Sequence, residues 1–295
     1  MENKCSLFVT NELVLLIKKM AIAYSSATGA DSPEYYERYY LDFSAHADAI
    51  YSVGNKLGIT AADKVLEIGS GLGTRCLLGN AIHGANFVGL EPCANTYTNL
   101  KDAILIFKSI NNHITYEVKY ATGENSGFDS NTFDKIVSFE VIEHVKDPVG
   151  VINEMYRILK PAGTIFISSC NYNSIYEGHY RSLLIPIKNK RFQKTYLKII
   201  NRNPDFMDEI NFITKSELFK QLEQAGFEQI KFHCNFEITH YDGLASYLPH
   251  EYKLNNESCN AKLIQKLVQS RIVNNILSKV NREYKLYVTA VKPIS

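Results

Sequence analysis

Tryptophan is absent from the 295-residue chain, and no two of its six cysteines form a C-x-x-C pair. Cys5, Cys76, Cys93, Cys170, Cys234 and Cys259 are scattered, so neither a zinc ribbon nor a disulfide framework is indicated. The expectation is reduced thiols in a cytoplasmic protein. Charge of one sign is lacking too. With 32 Lys and Arg against 31 Asp and Glu the formal net charge is +1, which excludes a chain organised as a whole around nucleic acid. Long hydrophobic runs are missing as well. The best candidate, Leu-Val-Leu-Leu-Ile at 13–17, is preceded by Glu12 and ended by Lys18 and Lys19. It is too short for a bilayer span, and no cleavage site follows it. It reads as one face of an amphipathic helix, packed on the domain or on a partner in a homodimer. What the chain does have is 19 Tyr, 15 Phe and a 45% apolar composition, ordinary for a globular protein.

Residues 1–60 read as a helical cap: a helix over 6–24, a polar break at 25–33, the tyrosines Tyr36, Tyr39 and Tyr40, and a helix near 44–57. Residues 61–295 form the core. There, short apolar runs at 64–68, 86–90, 115–119, 135–139 and 164–168 alternate with helix-length stretches, and two further strands are expected at 229–236 and 284–291. The alternation predicts an α/β fold with a parallel sheet covered on both faces. Asp147 and Pro148 mark a helix start, and Lys160-Pro161-Ala162-Gly163 its stop. Thr214-Lys215-Ser216-Glu217 is a capping-box pattern. Insertions at 171–213 and 237–283, the second with an amphipathic helix over 261–280, are expected to shape a ligand pocket.

The first strand of the alternation ends in Glu67-Ile68-Gly69-Ser70-Gly71-Leu72-Gly73. Glycines allow a sharp turn and let a ligand approach the backbone, and the following helix offers free N–H groups. The spacing is G-x-G-x-G. The dinucleotide fingerprint, G-x-G-x-x-G, requires a glycine at 74, where Thr74 stands. Glu67 precedes the loop, and Glu91 ends the next strand where a carboxylate can bind ribose hydroxyls.

Residues 65–74, 88–92 and 133–145, followed by 159–164, resemble class I S-adenosylmethionine (SAM)-dependent methyltransferases. The nearest likeness is to the small-molecule branch with quinone-biosynthesis and sugar- or natural-product-modifying enzymes. The resemblance implies a Rossmann-like seven-stranded sheet with helices on both faces, an N-terminal helical lid and a substrate-covering insertion. It implies SAM as cofactor, with Glu67, Gly69, Ser70, Gly71 and Gly73 at the methionine end and Glu91 at the ribose. Pro92 and Cys93 would flank adenine. Thr122, Gly123 and Glu124 would meet the adenine amino group, Thr122 standing where the family usually carries aspartate. Glu140 would line the cleft beside the sulfonium.

Methyl transfer needs alignment, exclusion of water and sometimes a base for the acceptor's proton. His144 is one candidate base, or a divalent-metal ligand with Glu140 and Glu143, as some quinone O-methyltransferases employ. His179, in the first insertion, is another. For both, a structural hydrogen bond is the competing reading. Between Gly178 and Pro204 lie seven Lys and Arg and no acid, interleaved with apolar residues. Such a run is either a solvated face or a basic flap that attracts an anionic acceptor or rests peripherally on an anionic membrane. The leading expectation is methylation of a small-molecule, glycan or lipid-linked acceptor at oxygen. A SAM-binding regulator without chemistry is the alternative from another class.

Overall fold

The computed structural model describes residues 5–28, 33–93, 99–180, 182–183, 185, 187–234, 236–247, 270–280 and 282–294. Its centre is a seven-stranded sheet. In chain order its strands are β2 (Lys64–Ile68), β3 (Asn86–Leu90), β4 (Glu117–Lys119), β5 (Phe133–Phe139), β6 (Leu159–Cys170), β9 (Glu228–Phe232) and β11 (Lys285–Val291). The spatial order is β4-β3-β2-β5-β6-β11-β9. The first five pair in parallel, whereas β11 lies antiparallel between β6 and β9. In β2, Lys-Val-Leu-Glu-Ile, four consecutive residues from Val65 to Ile68 are buried, because helices cover both faces of the sheet.

Two apolar clusters fill those faces. One gathers Leu66, Ile136, Ile152, Met155, Leu218 and Val288 beneath α6 (Pro148–Ile158) and α8 (Lys215–Ala225). The other joins the core to the N-terminal segment, where α1 (Asn11–Thr28), α2 (Pro33–Leu41) and α3 (Phe43–Leu57) pack. Leu13 and Ile17 are fully buried in it, so the apolar face of α1 lies on its own domain. α4 (Thr74–His83) and α5 (Leu100–Ile110) belong to the same layer.

The N-terminus departs from an all-helical cap. Cys5–Phe8 is a strand, β1, paired in parallel with β10 (Leu244–Tyr247), and the helix begins only at Asn11. Asn111 holds β1 in place: its side chain accepts from the Phe8 N–H at 2.8 Å and donates to the Phe8 carbonyl at 3.0 Å. The Lys160–Gly163 segment does not merely stop a helix. It lies inside β6, with Ala162 at φ 61°, and the register against β5 shifts between Phe133 and Lys135. Asp147 precedes α6 without capping it through its side chain. The Thr214 capping box forms in full, with Thr214 Oγ1 and the Glu217 side chain each accepting the other's backbone N–H. Of the helix expected at 261–280, residues 261–269 lie outside the described residues, and Arg271–Ser278 is helical (α9).

The first insertion carries a small hairpin, β7 (Tyr176–Glu177) with β8 (Ser182–Leu183). It continues into α7 (Lys190–Ile199) and a 3-10 turn at Asp205–Glu209. Among the described residues no helix is long and apolar enough to cross a membrane.

Candidate active site

The glycine loop connects β2 to α4 at the C-terminal edge of the sheet. Gly69, Gly71 and Gly73 all have positive φ, at 72°, 54° and 79°, a region closed to most side chains. Their surroundings differ. A Cβ on Gly69 would fall 2.2 Å from Val141, and one on Gly73 would fall 2.5 Å from Tyr116. A Cβ on Gly71 would meet only Tyr40 of α2, at 3.9 Å. Two of the glycines are therefore demanded by protein packing, whereas Gly71 faces open space beneath an aromatic ring.

The acids around the loop are placed differently from one another. Glu91 closes the loop from the end of β3, its Oε2 accepting from the Gly71 N–H at 2.9 Å. Burial raises its pKa, and the Gly71 and Cys93 amides oppose that shift. Glu67, expected at the methionine end, is engaged by neighbouring side chains. It is fully buried, with Oε1 accepting from Arg75 at 3.2 Å and Oε2 from the Cys76 thiol at 3.2 Å. Burial still pushes its pKa upward against the Arg75 charge. Ser70 likewise turns inward: its N–H donates to the Leu90 carbonyl, and its hydroxyl is packed against Gly89.

Arg75 was not signalled by the sequence, because nothing local shows that the first turn of α4 points back at Glu67. Its guanidinium lies 4.5 Å from the Phe139 ring centroid, and Tyr39 of α2 also bonds to it. The N-terminal tyrosines thus reach the loop through two contacts, Tyr39 with Arg75 and Tyr40 over Gly71.

Where the sequence led us to expect adenine, Pro92 is exposed and Cys93 half-buried at φ 47°. Thr122 is exposed and pairs with Asn125 in an isolated bridge. Gly123 is buried, and a Cβ there would stand 3.1 Å from Val151. Glu124 is occupied elsewhere: its Oε1 accepts from the backbone N–H groups of Lys146 and Asp147, just ahead of α6.

The turn after β5 brings the remaining candidates together. Val141 abuts Gly69, and the His144 N–H donates to the Val141 carbonyl at 2.8 Å, so His144 lies one turn from the glycine loop. His144 Nε2 faces His179 Nε2 at 2.9 Å. The two histidines, alternatives in the sequence, are partners. Glu177 completes the row, with Oε1 2.7 Å from His179 Nδ1. Phe206 stands against both histidine rings, at 5.9 and 5.7 Å, and against Tyr24 of α1 at 5.3 Å, which in turn meets Tyr36 at 4.4 Å. One aromatic wall therefore runs from the histidines to the helices that roof the loop.

The metal-ligand set Glu140, Glu143 and His144 does not assemble as the sequence offered it. Glu140, at φ 57°, accepts from Ser168 Oγ at 2.7 Å and pairs with Lys285 of β11 at 3.2 Å. Burial works to raise its pKa, but Lys285 and Ser168 hold it below the ordinary value. A cation is thus already in place at this carboxylate. Glu143 is fully buried, accepting from Ser169 Oγ and the Cys170 N–H at 3.1 Å each. Burial, with Glu140 adding repulsion, pushes its pKa up to about 7. Donor atoms of Glu143, His144 and His179 lie within 4.8 Å of one another, as do those of Glu140, Glu143 and Cys170, so the residues that could hold a cation form two overlapping groups that share Glu143.

The flap's charge excess is smaller in three dimensions than along the chain. Lys188 pairs with Glu217 at 2.7 Å, Lys194 pairs with Asp208, and Lys190 donates to the Asp208 carbonyl at 2.9 Å. Arg191 and Lys198 remain exposed, beside exposed Phe192 and Ile199.

The profile of the methyltransferase-domain family matches residues 34–231. Ubiquinone biosynthesis O-methyltransferases of Aliivibrio fischeri and Psychrobacter arcticus are 28% and 30% identical, over 56% and 57% of this chain and 64% and 60% of theirs. A phosphoethanolamine N-methyltransferase of Plasmodium falciparum is 30% identical over 42% of this chain and 46% of its own. The chain thus aligns with about three fifths of the length of the first of these curated relatives. In fold it is similar to phosphoethanolamine N-methyltransferase 2 of Haemonchus contortus, solved with phosphomonomethylethanolamine and S-adenosylhomocysteine. There the TM-score is 0.52 at 14% identity, covering 84% of this chain and 53% of that one. A glycine loop open at Gly71, a carboxylate closing it from β3 and a family profile spanning the core agree: the chain belongs to the methyltransferase-domain family, the class I SAM-dependent methyltransferases.

Proposed function

We propose that the protein transfers a methyl group from SAM to a hydroxyl oxygen of a small, anionic or lipid-linked acceptor. Gly71 carries the reading: protein packing leaves its Cβ direction open, under Tyr40 and beside Glu91, where a ligand can touch backbone. Gly69, Gly71 and Gly73 would cradle the methionine end, and Glu91 would use its remaining acceptor capacity for the ribose. Pro92, Cys93, Thr122 and Gly123 would border adenine. Glu67 would act through Arg75, fixing the charge beneath the loop. SAM supplies an electrophilic methyl on a sulfonium, whose departure as a neutral thioether requires no acid.

The chain's own contribution is alignment and exclusion of water. The wall of Tyr24, Tyr36 and Phe206 closes the side facing the histidines, and α2 closes the loop. Likeness to ubiquinone biosynthesis O-methyltransferases supports oxygen as the acceptor atom. The flap presents exposed Leu183, Ile185, Ile187, Phe192 and Ile199 among basic side chains, a composition suited to an anionic membrane surface from which a lipid-linked acceptor is taken. In this reading the protein works in the cytoplasm, peripheral to a membrane.

Calorimetry with SAM and with NAD, followed by transfer of labelled methyl to fractionated acceptor pools, tests the proposal. SAM binding without NAD binding and a labelled ether product are expected. An N-methyl product would overturn the hydroxyl assignment, and absence of SAM binding would overturn the whole reading.

A further inference from the structure

The second insertion ends in a short helix, α9, whose apolar side the protein covers only in part. We infer that α9 is a membrane-docking element separate from the flap. Ile272, Ile276 and Val280 enter an anionic lipid surface, with Arg271, Lys279 and Arg282 against its headgroups. The inference goes beyond the reading of the flap and shares with it only the membrane.

Ser270 starts the helix, its Oγ accepting from the Val273 N–H at 3.3 Å. Val273 and Leu277, four residues apart, are half-buried, and Leu277 packs against the buried rings of Tyr176 and Tyr284. Beside that edge the helix is bare: Ile272 is 76% exposed, Ile276 61% and Val280 59%. A spacing of four, repeated, sets these three along one stripe of the helix and the turn after it. The turn is fixed, since the Val280 and Arg282 N–H groups both donate to the Leu277 carbonyl, at 3.1 and 2.8 Å. A broad apolar side on a helix calls for cover along its whole width. The protein supplies it only at the edge carrying Val273 and Leu277.

Charge selects what covers the rest. Residues 258–282 carry five Lys and Arg and no Asp or Glu. Arg271, Lys279 and Arg282 are exposed and have no ion pair among the described residues, whereas Lys188 and Lys194 of the flap are matched by Glu217 and Asp208. The acid that follows the stripe, Glu283, is buried and turned to Lys215 of α8 at 3.0 Å. Aliphatic side chains bordered by unmatched cations fit an interface where acyl chains lie beneath phosphate headgroups. A second copy fits worse, because a two-fold contact through the stripe sets like cations against each other.

The two docking elements adjoin. Tyr176, which holds Leu277, is paired in the hairpin with Leu183, one of the exposed apolar residues of the flap. Opposite residues share a sheet face, so α9 packs on the face that carries Leu183. Helix and flap thus meet one lipid surface together. Each alone is a marginal anchor, and the pair is firm, as for two weak signals on one chain.

The lack of tryptophan makes the contact readable, because Ile276→Trp places a single indole in the stripe. On vesicles of phosphatidylcholine with phosphatidylglycerol its emission should shift to the blue and be quenched by lipids brominated on the acyl chains. Neither should happen with phosphatidylcholine alone. Replacing Arg271, Lys279 and Arg282 together by Gln should weaken binding to the anionic vesicles about 100-fold at low salt, about fivefold for each cation removed. Ile272→Ser with Ile276→Ser should weaken it about tenfold or more. Melting temperature and SAM affinity should not change in either variant. An indole that stays in water on a chain that binds vesicles would overturn the role of α9 and leave that of the flap standing. Self-association abolished by Ile276→Asp, with vesicle binding intact, would assign the stripe to a second copy and overturn the proposal. A wild-type chain that stays off anionic vesicles at low salt would overturn the membrane reading of both elements, without bearing on SAM binding or methyl transfer.

Discussion

The Gly71 N–H donates to Glu91 Oε2 at 2.9 Å, a bond that ties the glycine loop after β2 to the end of β3. The neighbouring strands are in register up to Ile68 and Leu90, and the Gly69 N–H continues the link by donating to the Leu90 carbonyl. The shape of the cradle is thus set by two strand ends acting together.

Removing that tie should be felt in both stability and binding. Glu91→Ala leaves the Gly71 amide without its acceptor, a loss of about 1–3 kcal/mol. SAM affinity in calorimetry should weaken by about tenfold or more, equivalent to about 1.4 kcal/mol. Unchanged affinity would show that Glu91 shapes the loop without touching the cofactor.

The glycines should separate by phenotype. Gly69→Ala forces a Cβ to 2.2 Å from Val141, so thermal unfolding should reveal a loss of about 1–3 kcal/mol from overpacking alone. Gly71→Ala has room within the protein and bears only the cost of its positive φ, about 1–2 kcal/mol. Its larger effect should be on SAM binding, and Gly71→Arg should abolish binding while the chain still folds.

Arg75→Met should be among the most destabilising single changes near the site. It strands the fully buried Glu67 with only the Cys76 thiol as donor, a situation that costs about 3–5 kcal/mol when a buried pair is broken. Adding Glu67→Gln to Arg75→Met should recover much of the lost melting temperature. A double variant no better than the single one would mean that the Arg75 contacts to Tyr39 and Phe139 matter more than the charge.

Glu143 predicts a pH dependence of stability. Its pKa in the folded chain, pushed up to about 7, lies above the ordinary value of 4.5. The folded state therefore binds the proton more tightly, and the stability this group contributes is present below pH 4.5 and lost as pH rises to about 7. At 1.36 kcal/mol per unit the span is about 3 kcal/mol. Glu143→Gln should melt higher than wild type at alkaline pH and no higher in acid. Melting curves that stay parallel across the range would refute this.

Basic residues of the flap should govern lipid contact and not the cofactor. Arg191→Glu with Lys198→Glu should abolish flotation with anionic vesicles at low salt, leaving SAM affinity intact. Exposed pairs such as Lys188 with Glu217 should contribute no more than about 1 kcal/mol to stability.

Much of the core was legible in local sequence. Lys64–Ile68 and Asn86–Leu90 stand where their apolar runs predict, because strands buried on both faces are mostly apolar. The Thr214 capping box is legible for a similar reason, being complete within four residues. β1 was not legible. Cys-Ser-Leu-Phe carries no alternation long enough to outweigh the helical pattern after it, and its partner strand begins at Leu244.

By itself, then, the sequence determined the α/β core and the donor class, since both rest on patterns closed within a few residues: strand periodicity, glycine spacing and a carboxylate at a strand end. Only the tertiary structure decided what the charges do. Glu67 is held by Arg75 and Glu140 by Lys285, flap lysines meet Asp208 and Glu217, and His179 is carried across 35 positions to face His144. Coulomb and hydrogen-bond energies depend on distance in space, and a linear chain does not record which acids and bases its folding will bring within reach.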